Sequence, residues 1–287
     1  MTIREALRGA AGRLELHRVS NAPLTAEVLL AHLLSVSREY LHAHDDRILR
    51  DEESDALENA IYERISGAPL QYIVGLQEFY GRYFHVNPSV LIPRPETEHI
   101  IEAVLEIAAT TGTGGQTPRC RILDVGTGSG CIAVTLALEI PGSDVFAGDI
   151  SEQALRVARN NASNLKAQVG FVCTDVMDAV NGSFEFIVSN PPYVAPGDLS
   201  RLQREVRDHE PHVALFAPGD DGLGIYRKLA QAASECMAPR GHLVMEIGLG
   251  MEERVLSLFG PEWEKLPTET DLQGIPRTVI VRRIRTG

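Results

Sequence analysis

The chain has 287 residues, of which 44% are hydrophobic and 23% are charged, and its formal net charge is −12. This composition excludes a disordered chain and is enough for one large domain or two, while the absence of a basic region disfavours nucleic acid as a partner. The longest apolar runs are far shorter than the ~20 residues of a membrane helix, and the N-terminus lacks a secretion-signal pattern. We therefore expect a cytoplasmic protein that binds neither nucleic acid nor membrane.

Cysteine and histidine spacing gives no pattern of disulfides or metal ligands. The four cysteines, at positions 120, 131, 173 and 236, form no Cys-x-x-Cys pair and stand in apolar or strand-like surroundings. We expect buried free thiols. No histidine pair has a His-Glu-x-x-His pattern or cysteines nearby, so we predict no bound metal.

Residues 1–75 have the apolar spacing of short helices separated by turns. Thr2 and Glu5 have the spacing of a capping box, and Leu57, Ile61 and Ile65 fall on one helical face. We predict a small N-terminal helical bundle. Because a complete α/β domain follows, the bundle is not needed to fold that domain, and we favour substrate recognition over scaffolding as its role.

The rest of the chain predicts a linker and then an α/β domain. Aromatic and β-branched residues flank Gly81 and Pro88 in residues 76–95, which indicates a β-hairpin linker, and helical and strand patterns alternate over residues 96–287. The predicted strands are 121–125, 145–149, 169–174, 184–189, 242–247 and 277–283, and the predicted helices are 96–109, 131–140, 152–161, 223–237 and 251–259. This alternation predicts a doubly wound, mostly parallel sheet that binds ligands at the carboxyl ends of its strands.

A glycine-rich loop follows the first strand of this domain. After Asp124 and Val125 the chain reads Gly-Thr-Gly-Ser-Gly, with the third glycine one residue earlier than in the dinucleotide pattern G-x-G-x-x-G. Glycines let the backbone approach a ligand, and the helix start offers free N–H groups. The spacing resembles the first motif of class I S-adenosylmethionine-dependent methyltransferases, which implies a seven-stranded sheet. The cofactor-binding residues that it implies are Asp124, Gly126, Thr127, Gly128, Ser129 and Gly130.

Two further acids fit a nucleoside ligand. Asp149 ends the second strand, where a carboxylate can accept hydrogen bonds from both ribose hydroxyls, and Asp175 follows the third strand, where it can accept from an adenine amino group. Val176 would cover the adenine ring. An acid after a strand is also often a helix cap, and Ser151 or Asp149 could cap the next helix. The glycine loop and two acids, on three successive strands, favour an adenosine-bearing ligand.

The fourth strand stops at Asn190-Pro191-Pro192-Tyr193. Two prolines hold a rigid extended loop, which in a doubly wound sheet lies beside the glycine loop. Alone, it could equally be a turn with a half-buried tyrosine. The Asn190 side-chain oxygen and the Pro191 carbonyl can accept both hydrogens of a planar NH2 group, while Tyr193 stacks on its plane. This resembles the methyltransferases of adenine, cytosine or glutamine amino groups, whose rate gain would come from positioning and electrostatics without a strong base.

Segments along nearly the whole chain resemble the peptide-chain release-factor glutamine methyltransferase family. They are GAPLQYIVGLQEFYGRYFHV, VLIPRPETE, the glycine loop, SNPPY, EPHVALF, DGLGIYRKL and DLQGIPRTVIVRR. The resemblance implies transfer of a methyl group from S-adenosylmethionine to the glutamine N5 of the Gly-Gly-Gln motif in release factors, and we expect a monomeric enzyme. By resemblance, Asn190, Pro191, Pro192 and Tyr193 form the catalytic and glutamine-binding site, and Asn190 also contacts the cofactor.

Other interpretations stay open at this point. An adenine N6 methyltransferase of DNA or RNA would share both motifs but needs a basic groove, and a nonenzymatic adaptor would bind the cofactor without turnover. Residues 93–98, PRPETE, either line the same cleft or only start a helix. Some family members place an aromatic residue where this chain has Val176, which offers adenine less surface. Gly114-Gly115-Gln116 repeats the proposed substrate tripeptide, so self-methylation is a further hypothesis.

Overall fold

The computed structural model describes residues 1–111 and 119–284. Contacts within the chain divide it into two compact units. The first consists of Met1–Leu76 together with Gln203–His209, and the second of Gln77–Leu202 and Glu210–Gly287. Among the described helices, none is both long enough and apolar enough to cross a bilayer.

The first unit is built from helices around its own core. They are α1 (Ile3–Leu16), α2 (Ala22–Leu34), α3 (Arg38–Ala43), α4 (Asp51–Ser66) and α5 (Leu70–Val74). The capping box predicted for α1 is confirmed, since the Glu5 N–H donates to Thr2 Oγ1 at 3.2 Å and the Thr2 N–H donates to Glu5 Oε2 at 2.8 Å. Leu57 and Ile61 are buried in this core and Ile65 packs against it, as the helical period predicts.

A short helix from far along the chain belongs to the same unit. This helix, Arg204–His209, carries Glu205, which accepts a hydrogen bond from Arg64 Nη2 at 2.6 Å. Arg64 is buried, and its Nη1 donates to the Ala68 carbonyl at 3.0 Å. The acid therefore gives the buried guanidinium a counter-charge. A six-residue helix is too short for a visible period, which is why the sequence did not indicate this addition.

The second unit begins with a β-hairpin and a helix. The hairpin strands are β1 (Leu76–Phe79) and β2 (Arg82–His85), joined by Tyr80 at φ +50° and Gly81 at φ +72°. A two-residue turn with both residues in the left-handed region matches the twist of a hairpin. A 3-10 turn, Pro95–Thr97, then leads directly into α6 (Glu98–Thr111).

The central sheet is doubly wound and mostly parallel, as predicted. Its strands are β3 (Arg121–Val125), β4 (Asp144–Asp149), β5 (Val169–Cys173), β6 (Phe184–Ser189), β7 (Met237–Glu246), β8 (Trp263–Lys265), β9 (Glu269–Thr270) and β10 (Pro276–Arg283). Their order is β5-β4-β3-β6-β7-β10-β8, and β9 pairs with β10 beside this path. The first five strands of the path are parallel, while β10 is antiparallel to β7. The path has the seven strands expected, and the two-residue β9 makes eight among the described residues.

Helices cover both faces of the sheet. The helices of the second unit that follow α6 are α7 (Cys131–Glu139), α8 (Glu152–Leu165), α10 (His212–Leu215), α11 (Gly224–Cys236) and α12 (Glu252–Leu256), with a 3-10 segment at Pro196–Arg201. The helix of the first unit at Arg204–His209 is α9. Of the sheet helices, α6 and α7 pack into one core and α11 into another. Successive residues of β3 point to different faces, so Ile122 belongs to the first core and Leu123 to the second.

Two expectations need correction. The strand predicted at 242–247 is the longer β7, which begins at Met237, because Met237 also pairs with Phe184 of β6. All four cysteines were expected to be buried. This is wrong for Cys173, which is exposed at the end of β5, and for Cys236, which is half-buried, whereas Cys120 and Cys131 are buried. Strand β5 lies at the edge of the sheet, and none of its five residues is fully buried.

Candidate functional site

The carboxyl ends of β3, β4 and β6 meet where the strand order reverses. The chain runs from β3 outward to β5 and then returns to place β6 on the other side of β3. Loops that leave adjacent strands in opposite directions open a crevice at this point, where doubly wound folds bind ligands. The glycine loop (residues 126–130) and the acceptor loop (residues 190–193) therefore lie next to each other, as the sequence predicts.

The glycine loop is held by backbone contacts to the neighbouring strand and helix. The N–H groups of Gly126 and Thr127 both donate to the Gly148 carbonyl, at 2.8 and 3.0 Å. Gly130 has φ +83°, and a Cβ at this position would lie 3.0 Å from the Cβ of Ala158 in α8. A side chain there would force the loop away from α8, so glycine allows the close approach.

Asp124 supports the glycine loop from the protein interior. Its Oδ2 accepts hydrogen bonds from Thr127 Oγ1 at 2.6 Å and from the Ala133 N–H at 3.2 Å. Asp124 is fully buried and its Oδ1 has no partner among the described residues. Burial raises the pKa of this carboxyl to about 7. Asp124 therefore holds the glycine loop in place from the side away from the cavity.

Asp149 is fixed at the end of β4 by two backbone groups. Its Oδ2 accepts from the Gly128 N–H at 2.9 Å, and its Oδ1 accepts from the Ser151 N–H at 2.8 Å. Burial raises the pKa of Asp149, although these hydrogen bonds oppose the shift. Ser151 itself caps α8, because its Oγ accepts from the Ala154 N–H at 3.2 Å. The capping role thus falls to Ser151, and each Asp149 oxygen keeps lone-pair capacity for a ligand hydroxyl.

Asp175 and Val176 form the next part of the same wall. Asp175 is paired with Lys228 of α11, whose Nζ lies 2.6 Å from Asp175 Oδ2. Val176 has φ +50°, a left-handed conformation that costs a β-branched residue on the order of 1–3 kcal/mol. The fold therefore holds Val176 in a strained position beside the crevice.

The acceptor loop is connected to two distant residues by a chain of hydrogen bonds that the sequence did not indicate. Asn190 Nδ2 donates to Thr97 Oγ1 at 3.0 Å, and Thr97 Oγ1 donates to Glu246 Oε2 at 2.6 Å. Thr97 and Glu246 are buried, and burial raises the pKa of Glu246 to about 7. Among the described residues, no group donates to Asn190 Oδ1 or to the Pro191 carbonyl. Two hydrogen-bond acceptors are thus left at this edge.

Tyr193 is packed into the protein. Burial raises the pKa of its hydroxyl to about 12. A Cβ on Gly248 would lie 2.9 Å from the Tyr193 ring, and a Cβ on Gly222 would lie 2.6 Å from the Tyr193 carbonyl oxygen. The next residue is also tied down, since the Val194 N–H donates to the Leu215 carbonyl at 3.0 Å. The two glycines let other loops close tightly around this segment.

Both loops line one cavity of about 250 Å³ within the second unit. The predicted site residues that line it are Gly126, Gly128, Asp149, Asp175, Val176, Asn190, Pro191 and Pro192. The predicted site residues outside its lining are Asp124, Thr127, Ser129, Gly130 and Tyr193. Thr97, Ile132, Ala154, Phe216, Ile225 and Lys228 also line it and were not predicted individually.

The cavity fits an adenosine-bearing cofactor. Its lining is mainly apolar, and its polar groups include the Asp149 and Asp175 carboxylates, the Lys228 amine, the Asn190 amide and the glycine backbone. Thr97 lines the cavity while PRPETE also starts α6, so the two interpretations of this segment are compatible. No cluster of metal-ligating side chains is present in the described ranges. Gly114-Gly115-Gln116 lies outside the described residues.

Known protein families match two parts of this chain. Residues 5–75 match the model of the PrmC N-terminal domain, and residues 114–206 match that of the methyltransferase small domain. The chain is 45% identical to the release factor glutamine methyltransferase of Koribacter versatilis, over 99% of each chain. It is 40% identical to the enzyme of the same name from Nitratidesulfovibrio vulgaris, over 98% of this chain and 95% of the relative.

Solved structures share the fold at low sequence identity. The T. thermophilus 16S rRNA N2 G1207 methyltransferase, solved with AdoMet and guanosine, is 19% identical over 73% of this chain and 50% of its own, with a TM-score of 0.51. A methyltransferase from Pyrococcus furiosus is 17% identical over 79% of this chain and 98% of its own, with a TM-score of 0.50. At such identities the likeness concerns the fold alone.

The doubly wound sheet and the glycine loop with its two acids define a class I S-adenosylmethionine-dependent methyltransferase. The full-length relatives specify the family within this class. The chain belongs to the release factor glutamine methyltransferase family.

Proposed function

We propose that this enzyme transfers the methyl group of S-adenosylmethionine to the side-chain amide nitrogen of the glutamine in the Gly-Gly-Gln motif of peptide-chain release factors. The observation that carries the proposal is the pair of open acceptors at the acceptor loop. Asn190 Oδ1 and the Pro191 carbonyl have no donor among the described residues, and they lie in the same cavity as the glycine loop and Asp149.

The cofactor would be held by the glycine loop and the acids of the neighbouring strands. The Gly128 backbone lines the cavity. Asp149 would accept hydrogen bonds from the ribose hydroxyls, and Asp175 would accept from the adenine amino group, with Val176 against the ring. Asp124 would shape the loop through Thr127. When bound, S-adenosylmethionine supplies an electrophilic methyl group, and the protein supplies binding and orientation.

The acceptor loop would recognise an amide NH2 group by offering it acceptors only. Pro191 and Pro192 have no backbone N–H, so this part of the loop presents carbonyl groups without competing donors. Asn190 Oδ1 and the Pro191 carbonyl would each accept one hydrogen of the glutamine amide. Both hydrogens are then directed into the wall, and the nitrogen is held toward the cofactor side of the cavity. Tyr193 would support the plane of the amide from its packed position.

The two units would divide binding between them. The family resemblance covers both, and a release factor is large enough to need contacts beyond the glutamine. We assign substrate recognition to the helical bundle of residues 1–75, the connection to the hairpin of residues 76–95, and methyl transfer to residues 96–287. The enzyme would act as a monomer in the cytoplasm, where release factors work on ribosomes.

The experiment that tests this function compares acceptors. The purified enzyme is incubated with labelled S-adenosylmethionine and either a release factor, its Gly-Gly-Gln to Gly-Gly-Ala variant, or DNA and RNA oligonucleotides. We expect label on the intact release factor only. Label on an oligonucleotide would instead indicate the adenine N6 reaction, and cofactor binding without label on any acceptor would indicate an adaptor.

A further inference from the structure

A terminal amide can point either its oxygen or its nitrogen in a given direction. The two ends of Asn190 are nearly equal in size, so shape alone does not select between them. The proposed function requires the oxygen at the cavity, because only the oxygen can accept a hydrogen from the substrate amide. The groups on the other side of the Asn190 amide must therefore select its orientation.

Thr97 and Glu246 can make this selection. The Thr97 hydroxyl has a single proton, and its oxygen lies 2.6 Å from Glu246 Oε2 and 3.0 Å from Asn190 Nδ2. A carboxylate only accepts, so the proton of Thr97 must point to ionised Glu246. The Thr97 oxygen can then only accept a hydrogen bond from Asn190. Only the Nδ2 end of the Asn190 amide can donate, so this end must face Thr97. The oxygen end is consequently left for the cavity.

We infer that Thr97 and Glu246 are positioning residues that fix the side-chain amide of Asn190 with its oxygen toward the substrate. This inference rests on the proposed function for its consequence in catalysis, and on the three-residue chain for its geometry. Glu246, Thr97 and Asn190 are here named the relay. The relay joins the end of β7, the turn before α6 and the acceptor loop.

The burial of Glu246 supports a role beyond holding the fold together. Its side chain is 4% exposed, and no lysine or arginine of the described residues forms an ion pair with it. A buried carboxyl without an ion pair costs stability, and an apolar residue would fill the same space more favourably. The hydrogen bond to Thr97 is what the carboxyl provides at this position.

Protonation of Glu246 would weaken the selection. A neutral carboxyl can donate to Thr97, which frees the Thr97 proton to face Asn190 and allows the reversed amide. The pKa of Glu246 is raised to about 7, mainly by burial. The charged and titratable groups that face it are Arg94, Glu96, Cys131, Tyr193, Tyr226 and Arg277. We therefore expect kcat to fall as the pH is lowered through this range.

The test uses three relay variants and one matched control. T97V keeps the shape of the side chain and removes the hydroxyl, T97S restores the hydroxyl, and E246Q replaces an obligate acceptor by a group that can also donate. T135V is the control, because Thr135 is also fully buried but its Oγ1 has no partner among the described residues. The readouts are kcat and KM with a release factor, the Kd of S-adenosylmethionine, and the pH profile of kcat at saturating cofactor.

We expect kcat of T97V to fall by about 10- to 100-fold, that of E246Q by about 2- to 10-fold, and those of T97S and T135V by no more than about twofold. The cofactor Kd should change by less than about threefold in all four, because each variant leaves the glycine loop, Asp149 and Asn190 unchanged. In the pH profile of kcat, E246Q should also lose the part of the decrease at low pH that is due to protonation of Glu246. A T97V enzyme with native kcat, or a T97S enzyme as slow as T97V, would overturn the inference.

Failure of the proposed function gives a different result. The native enzyme would then leave the release factor unlabelled, whatever the variants do. The relay would in that case be tested without turnover, from the side-chain amide signals of 15N-labelled asparagine, assigned with N190A. T97V should shift the Asn190 signal and T135V should not, and an unchanged signal in T97V would overturn the geometric part of the inference.

Discussion

The glycine loop and the acceptor loop lie at the same edge of one sheet but are held in different ways. The glycine loop is fixed by the strand and helix that follow it in the chain, through backbone groups and through Asp124 and Asp149. The acceptor loop is fixed by distant residues, since Asn190 bonds to Thr97, 93 positions earlier, and Tyr193 packs against Gly222 and Gly248. A site held by nearby residues can be predicted from a short sequence motif, whereas the contacts of a site held by distant residues become visible only in the folded structure.

The largest effect is expected for the acceptor loop. N190A removes one of the two proposed acceptors for the substrate amide, and we expect kcat to fall by about 10²- to 10³-fold, by analogy with the loss of one preorganised hydrogen bond in other enzymes. The thermal midpoint should remain near the native value, because Asn190 is only partly buried. Initial rates with a release factor, together with a thermal melt, check both statements. Native turnover in N190A would remove Asn190 from the mechanism.

The glycine-loop side should respond through cofactor affinity. D149A removes the carboxylate between the Gly128 and Ser151 N–H groups, and we expect the Kd of S-adenosylmethionine to rise by the equivalent of about 1–3 kcal/mol. D144A is the matched control, because Asp144 begins the same strand that Asp149 ends. Calorimetry on both variants gives the comparison. Equal affinities for D149A, D144A and the native enzyme would limit Asp149 to a structural role.

The free energy of unfolding should depend on pH through the buried carboxyl of Glu246. Folding raises the pKa of Glu246 from 4.5 to about 7, so the folded chain binds its proton more tightly than the unfolded chain. The resulting stabilisation is complete below about pH 4.5 and is lost as the pH rises through 7, a change of about 2 kcal/mol between pH 5 and 7. Asp124 adds a similar change.

The difference between the native enzyme and E246Q isolates the part due to Glu246. The free energy of unfolding is measured by denaturant titration at several pH values in this range. We expect the native curve to fall more steeply than that of E246Q. Parallel curves would mean that Glu246 titrates near its ordinary value in the folded protein.

The smallest effect is expected at the glycines around Tyr193. Alanine at Gly222 and at Gly250 meets the same unfavourable φ of +73°, but only at Gly222 does the new Cβ come within 2.6 Å of the Tyr193 carbonyl, whereas Gly250 has open space. We expect G222A to be less stable than G250A by about 1–2 kcal/mol, and slower in turnover. Denaturant midpoints of the two variants measure this difference. Equal values would show that the acceptor loop is not confined there.

The sequence predicted the parts of the molecule that depend on local patterns. Each of these patterns is formed by residues that are close together in the sequence. Examples are the helical period of α4, the capping box at Thr2 and the strands that end at Asp149 and Ser189. It also placed the acceptor loop beside the glycine loop, because the order of a doubly wound sheet follows from right-handed crossovers.

What the sequence did not predict depends on contacts across long distances. Thr97 and Glu246 carry no individual signal, because a threonine in a helix start and a glutamate at a strand end are common in ordinary structure. Their partnership with Asn190 exists only once β7, β6 and the turn before α6 are assembled. For the same reason, the sequence did not predict that Arg204–His209 belongs to the first unit, nor the two-residue strand β9.

The acceptor loop is proposed to direct methyl transfer to an amide nitrogen, so the position of the transferred methyl group tests its role. The most direct test is tandem mass spectrometry of a release factor after incubation with the enzyme and S-adenosylmethionine carrying a 13C-labelled methyl group. We expect one labelled methyl group on the side-chain nitrogen of the glutamine in the Gly-Gly-Gln peptide, and none in a parallel reaction with N190A over the same short time. A methyl group on another residue of the release factor, or equal labelling by N190A, would show that the acceptor loop does not direct the transfer.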